Sequence, residues 1–141
     1  MINTIAKGHW ALLKAEQYAT EKDYIFLRPT IEGTRYDAVI DDGNKMWKIQ
    51  VKYCDRQTST SENCYTVLLE KWYHNYKLGS KKKRYTHSEI DVLIVYLPIT
   101  DRLYWIPVSE VENKSEFALR IEPSKNGQTK GCHMAADYEW K

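Results

Sequence analysis

Residues 36–52 constrain this chain more than any other stretch. Tyr36-Asp37-Ala38-Val39-Ile40 is followed by Asp41-Asp42-Gly43-Asn44, then by Lys45-Met46-Trp47-Lys48-Ile49-Gln50-Val51-Lys52. Two apolar-rich runs around Asp-Gly predict a β-hairpin, because glycine accepts the positive φ that a tight turn demands. Side chains alternate across a strand, so Lys48, Gln50 and Lys52 share one face while Trp47, Ile49 and Val51 share the other. The second set belongs to a core. Members of the first, with Asp37 on the partner strand, make one polar cluster. An acid, an amide and a lysine gathered on adjacent strands can hold a divalent metal and a phosphate.

The remaining chain must give that hairpin a body. Its 141 residues are most simply one domain, 1–141. A hydrophobic share of 43 % excludes disorder, and eleven Tyr with five Trp leave aromatics both for a core and for a partner. A net charge of +2 says little about partners by itself. Cys54, Cys64 and Cys132 form no C-x-x-C pair for zinc and read as free thiols, with Cys54 and Cys64 expected to be buried. His9, His74, His87 and His133 show no metal spacing, although His74 lies in a basic segment. No run approaches the ~18–20 apolar residues of a membrane span, and no signal peptide is visible. The expectation is a cytoplasmic, reduced protein with no membrane partner.

Residues 4–22 predict a helix with Thr4 as its N-cap, and with Ile5, His9, Leu12, Leu13 and Glu16 on one mostly buried stripe. Residues 24–28 predict a strand ending at Pro29. Residues 53–63 are polar and read as a turn or loop, and 65–69 as a strand. The nearly continuous apolar run 91–97 predicts a strand buried on both faces in mid-sheet. Thr100-Asp101 turns it into a hairpin partner at 103–106, which Pro107 ends. Ser109 is expected to cap a short helix through Asn113, 117–121 to form a further strand, and 134–138 a last helical turn.

Residues 71–85 differ in kind. Lys71, Lys77, Lys81, Lys82, Lys83 and Arg84 carry six positive charges, and 71–84 contains no acid. Trp72, Tyr73, Tyr76 and Tyr85 are interleaved among them. With Gly79-Ser80 ahead of the densest part, the segment reads as a phosphate-binding loop. Lysine and arginine neutralising phosphates supply most sequence-independent affinity for nucleic acid. Lys48, Arg56, Gln57, Lys71, Tyr73, Lys77, Lys81, Lys82, Lys83 and Arg84 are the expected DNA contacts.

The hairpin carries the pattern D-x(12)-Q-x-K over Asp37, Gln50 and Lys52. Phosphodiester hydrolysis needs a metal to neutralise developing charge, an activated water, and both held in line with phosphorus. Asp37 is a hard oxygen ligand suited to Mg²⁺, Gln50 offers a carbonyl oxygen, and the backbone carbonyl of Val51 is a third candidate. Lys52 points to the same face, where it can orient the water and stabilise charge on the phosphorus. Helix, hairpin, further sheet and basic segment follow one another as in the core of PD-(D/E)XK nucleases.

On these residues the chain resembles the bacterial, notably cyanobacterial, homing endonucleases encoded in group I introns that use a PD-(D/E)XK fold. The resemblance covers nearly the whole sequence. It is carried by Lys7-Gly8 through Lys14-Ala15, residues 36–43, Ile49-Gln50-Val51-Lys52, Arg84-Tyr85-Thr86 through Ile90-Asp91, residues 95–98, Tyr104-Trp105-Ile106-Pro107, and residues 119–126 with Gln128. It implies an α/β (α+β mixed-sheet) fold of restriction-endonuclease type, with a central mixed β-sheet flanked by helices. It also implies Mg²⁺-dependent double-strand cleavage of a long intron-insertion site, with Mn²⁺ as an alternative cation. The fold is similar to that of archaeal Holliday-junction resolvases and type II restriction enzymes.

Asp37 falls on the family's metal aspartate and Lys52 on its lysine. Gln50 stands where the wider superfamily has Glu or Asp; the resemblance includes Gln at this place among the intron-encoded members. The superfamily's helix glutamate would fall near Leu12. Either Glu16, one turn further on, takes its place as a fourth catalytic residue, or one ligand is missing. Cutting both strands of double-stranded DNA calls for two sites related by a two-fold axis, hence a homodimer, with a homotetramer as the larger alternative. Two other readings of the same fold are a non-catalytic DNA-binding module and a Holliday-junction resolvase.

Overall fold

The computed structural model describes residues 3–58, 61–75, 79–123 and 133–141, and of 61–62, 71–75 and 80–82 the backbone alone. The first helix, α1, spans Thr4–Glu21. Its cap is Asn3 rather than the expected Thr4: Asn3 is extended, and its side-chain oxygen accepts from the Ala6 N–H at 2.8 Å. The buried face also differs from the predicted stripe. Ala11, Ala15 and Ala19 are fully buried, whereas Ile5 is 86 % exposed, and His9 and Leu13 are exposed. A row of alanines at i, i+4 and i+8 lets the helix lie close on a sheet, with Trp10, Leu12 and Tyr18 filling the flanks. A stripe chosen for its large apolar residues misses such a face.

The strands follow in order: β1 (Ile25–Leu27), β2 (Ala38–Asp41), β3 (Met46–Tyr53), β4 (Gln57–Thr58), β5 (Ser61–Leu68), β6 (Lys71–Asn75), β7 (Gly79–Lys83), β8 (Val92–Leu97), β9 (Arg102–Pro107), β10 (Glu116–Arg120) and β11 (His133–Met134). A four-residue helix, α2 (Val108–Val111), sits between β9 and β10, and a 3-10 turn covers Ala135–Tyr138. The former begins at Pro107 without a side-chain cap, so Ser109 lies inside it and does not cap it. Among the described residues the strands form a five-stranded sheet ordered β1-β2-β3-β8-β9, a four-stranded sheet ordered β11-β10-β5-β4, and the antiparallel pair β6-β7. In the five-stranded sheet β3 and β8 run parallel and the other neighbours antiparallel, so the sheet is mixed.

The predicted hairpin is β2–β3, with Ala38 opposite Ile49 and Asp41 opposite Met46, closed by a turn in which Gly43 has φ +92°. Every residue of β8 is buried, as a mid-sheet strand requires. Val92, Ile94 and Tyr96 face α1, together with Ala38, Ile40, Ile49 and Val51. Leu93, Val95 and Leu97 face the other way, against Val67, Phe117 and Leu119 of the four-stranded sheet and Val111 of α2. The central sheet therefore has a long helix on one face and mainly a second sheet on the other.

Two segments read as loops contain strand. Residues 71–75 and 79–83 pair as β6–β7, with Trp72 opposite Lys82 and Tyr73 opposite Lys81, and Gly79 has φ +74°. Lysine and aromatic positions thus stand opposite one another in the register of two paired strands. Within 53–63, β3 runs on to Tyr53, and β4 pairs with β5. Cys54 and Cys64 are buried and free. Burial pushes the Cys54 thiol up to about 11, which leaves it inert at neutral pH. Cys132 lies outside the described residues. No helix among the described residues is long and apolar enough to cross a membrane.

Candidate active site

Alternation places Gln50 and Lys52 on the sheet face turned away from α1. In register they lie beside Leu93 and Val95, which face the second sheet. Ala38 faces α1, so Asp37, just before β2, turns to the same side as Gln50. The Asp37 N–H donates to the Ile49 carbonyl at 2.8 Å. Its carboxylate Oδ2 accepts from the Val51 N–H at 2.8 Å and from the Gln50 side-chain amide at 2.9 Å. The acid thereby continues the ladder past the end of β2: the Val51 N–H, which has no further strand residue to meet, finds a side chain instead. The Val51 carbonyl points to the same side of β3 as its N–H, towards Asp37. The structure thus brings Asp37, Gln50 and Val51 together.

Gln50 is 6 % exposed, and its carbonyl oxygen Oε1 has no hydrogen-bond partner among the described residues. A buried carbonyl oxygen that has left water without a partner is uncommon and costs about 1–3 kcal/mol. Beside a carboxylate it is a place for a cation. The donor types here, a carboxylate, an amide carbonyl and a backbone carbonyl, are the hard oxygens that Mg²⁺, Mn²⁺ or Ca²⁺ prefers. The residues fit a divalent ion. Among the described residues no three of His, Cys, Asp and Glu gather as metal ligands would; the oxygens here belong to one carboxylate and two carbonyls.

Lys52 stands next along the same face, with its ammonium 5.5 Å from the centre of the Tyr85 ring. Tyr85 is 5 % exposed, and its hydroxyl also has no partner among the described residues. Burial, then the charges of Asp37 and Glu89, push the Tyr85 hydroxyl well above its ordinary value. Tyr85 is the residue that sequence reasoning left among generic aromatics. Its signal was its place at the end of the basic run, but only tertiary packing sets it beside Lys52.

Two clefts flank Lys52 and Tyr85. A cleft of about 510 Å³ is lined by Val51, Lys52 and Arg56 together with Thr4, Lys7 and Gly8 at the start of α1. A second, of about 250 Å³, is lined by Arg35, Lys83, Arg84, Tyr85 and Glu89. A third, of about 230 Å³, lies at the α1 side, where Lys14, Tyr96 and Asp101 bond to one another.

The other expected site residues are dispersed. The Glu16 carboxylate bonds to Arg28, next to the edge strand β1. Because α1 covers the opposite face of the sheet, Glu16 is not brought to the Asp37–Gln50 pair. Lys48 donates to the Ser88 carbonyl at 3.2 Å. Arg56 is exposed in the larger cleft, and the exposed Gln57 reaches the Tyr65 hydroxyl at 3.5 Å. Lys83 pairs with Glu89 at 3.0 Å, and Arg84 donates to the Asn113 carbonyl at 2.9 Å. Lys71, Tyr73, Lys81 and Lys82 lie on the β6–β7 pair, and Lys77 falls outside the described residues.

The fold is similar to that of a bacterial homing endonuclease, I-Ssp6803I, with a TM-score of 0.77 and 21 % identity, over 98 % of this chain and 89 % of that one. At that identity the likeness is one of fold. No curated protein sequence matches. A family model for PD-(D/E)XK endonucleases matches residues 2–141, end to end across the hairpin and both sheets, and the chain therefore belongs to the PD-(D/E)XK endonuclease family.

Proposed function

We propose that this endonuclease acts as a homing endonuclease, hydrolysing both strands of duplex DNA at a long intron-insertion target, with 1–141 as one nuclease domain. The observation that supports this reading is the Asp37–Gln50 pair, whose buried amide oxygen lacks a partner among the described residues. Asp37, Gln50 and the Val51 carbonyl would hold the divalent ion, Mg²⁺ in the first instance. When bound, such an ion neutralises charge on the reacting phosphate and lowers the pKa of a bound water. Lys52 orients the attacking water and stabilises negative charge that grows on the phosphate oxygens. The β6–β7 pair and Arg56 carry the DNA backbone, since lysines and arginines meet phosphates without regard to sequence. Two copies related by a two-fold axis would address the two strands, as a homodimer or within a homotetramer. Glu16 would join the site only if its bond to Arg28 opened. The protein would work in the cytoplasm.

A pool of duplexes with randomised inserts, incubated with the protein and Mg²⁺, yields its target once the cut ends are sequenced. On a plasmid bearing that target, Asp37→Ala and Lys52→Ala are each expected to cut at least about 10²-fold more slowly than wild type, with DNA affinity in Ca²⁺ retained. Undiminished cutting by both variants sinks the assignment. The single carboxylate at the pair favours one second reading, a DNA-binding module without catalysis. Tight binding with no cleavage in Mg²⁺ or Mn²⁺ would establish it. Stronger competition by four-way junctions than by linear duplex would point to a resolvase.

A further inference from the structure

We infer that Tyr85 is a further catalytic residue of this site, its hydroxyl donating a hydrogen bond to a non-bridging oxygen of the phosphate under attack. The inference rests on the nuclease reading above.

Tyr85 carries a polar tip into a place where phenylalanine would fill the same space. Its ring belongs to the core between the two sheets, with Ile90 and Leu93, yet its hydroxyl finds no partner among the described residues. Buried tyrosine hydroxyls ordinarily have one. The surroundings say what is missing. Lys52 lies over the ring at 5.5 Å, and Asp37 is close enough for its charge to act on the hydroxyl. The tyrosine is therefore at the hydrolytic pair and not elsewhere in the core. It also lines the 250 Å³ cleft, whose wall carries Arg35, Lys83 and Arg84 with one acid, Glu89, which is paired to Lys83. Three cations against one acid leave the lining net positive, and a phosphodiester of the DNA backbone is the anion that this family acts on.

The hydroxyl is suited to donation. Burial with two acids nearby keeps it protonated at neutral pH. A neutral donor fixed in a water-poor site is most effective where charge increases during the reaction, and that is on the non-bridging oxygens. Hydrolysis forms one P–O bond to the water oxygen and breaks one P–O ester bond; the attacking water gives up a proton to solvent, and the leaving ester oxygen takes one from solvent. Tyr85 keeps its proton throughout. No oxidant, reductant or group transfer is involved. DNA binding brings the acceptor that the hydroxyl lacks among the described residues.

The test compares wild type, Tyr85→Phe and Asp37→Ala on a plasmid carrying the recovered target. Single-turnover cleavage in Mg²⁺, DNA affinity in Ca²⁺ and thermal midpoint are measured for each. Tyr85→Phe is expected to slow cleavage by about 10²-fold, to bind DNA within about twofold of wild type, and to melt at the same temperature or higher, because it removes an unpartnered hydroxyl. Cleavage at the wild-type rate by Tyr85→Phe, with Asp37→Ala inactive, overturns the inference and leaves the nuclease reading intact. A fall in rate that tracks a fall in thermal midpoint also overturns it, since the hydroxyl then serves the fold alone. If wild type and Asp37→Ala are equally inactive, the nuclease reading fails and takes the inference with it.

Discussion

The two ends of the β2–β3 hairpin are both built on aspartate, and they treat it in opposite ways. At the turn, the Asp42 carboxylate accepts from the Asn44 N–H at 2.8 Å, the Lys45 N–H at 2.7 Å and the Trp47 indole N–H at 2.9 Å. Asp41 likewise accepts from the Gly43 N–H at 2.9 Å. All of these partners lie within five residues, and the turn is complete in itself. At the open end, Asp37 reaches across the hairpin to Gln50 and Val51, and the amide it binds keeps a buried oxygen that has no partner among the described residues. One aspartate closes a turn. The other organises a group that still needs a partner. Saturation of hydrogen-bonding capacity therefore separates a polar group that serves the fold from one that waits for a ligand.

The substitution expected to have the largest effect on this contrast is Gln50→Glu. It supplies the charge that the amide lacks, so half-maximal cleavage is expected at about tenfold lower Mg²⁺. Without metal, the facing carboxylates repel, so the variant melts below wild type and gains more from added Ca²⁺. An unchanged metal requirement would show that residue 50 does not face the ion.

Next comes Asp42→Ala, which is expected to lower the thermal midpoint by a few degrees while leaving cleavage per folded molecule unchanged. The Trp47 indole, then the backbone N–H groups of Lys45 and Asn44, hold the Asp42 carboxyl below the usual carboxylate value. A group with a depressed folded pKa contributes stability above its unfolded value, about 4, and loses it as pH falls through the folded value. Wild type therefore sheds this contribution only in the acid range below about pH 4. The variant lacks that part of the acid slope, which denaturation at a series of pH values would reveal. A loss of cleavage larger than the loss of folded protein would erase the contrast between the two ends.

The smallest effect is expected for Glu16→Ala. It removes a half-exposed ion pair with Arg28, worth ~0–1 kcal/mol, and should leave the cleavage rate within about twofold of wild type. A loss comparable to that of Asp37→Ala would mean that Glu16 leaves Arg28 and joins the metal site on DNA.

Several of these features were legible in the chain. The hairpin, its turn at Asp42-Gly43 and the buried strand β8 follow from local rules: a glycine that tolerates positive φ, an alternation of two, and an apolar run too short for a helix and too continuous for an edge. The shared face of Asp37, Gln50 and Lys52 follows from the same alternation. The buried face of α1 was not legible, because alanine carries little hydrophobic weight yet decides how closely a helix can approach a sheet. The β6–β7 pair was read as a loop because its lysines dominated its composition, while its strands depend on cross-strand register.

Sequence alone determined which residues of the hairpin share a face, since a two-residue period is a property of the backbone. Only the tertiary structure decided which polar atoms there remain unpaired among the described residues. Hydrogen-bond satisfaction depends on neighbours remote in the chain. Tyr85 comes to Lys52 through the packing of two sheets, and Glu16 is taken up by Arg28. The hairpin was written in the chain, and its unfilled capacity at Gln50 and Tyr85 came from what folded around it.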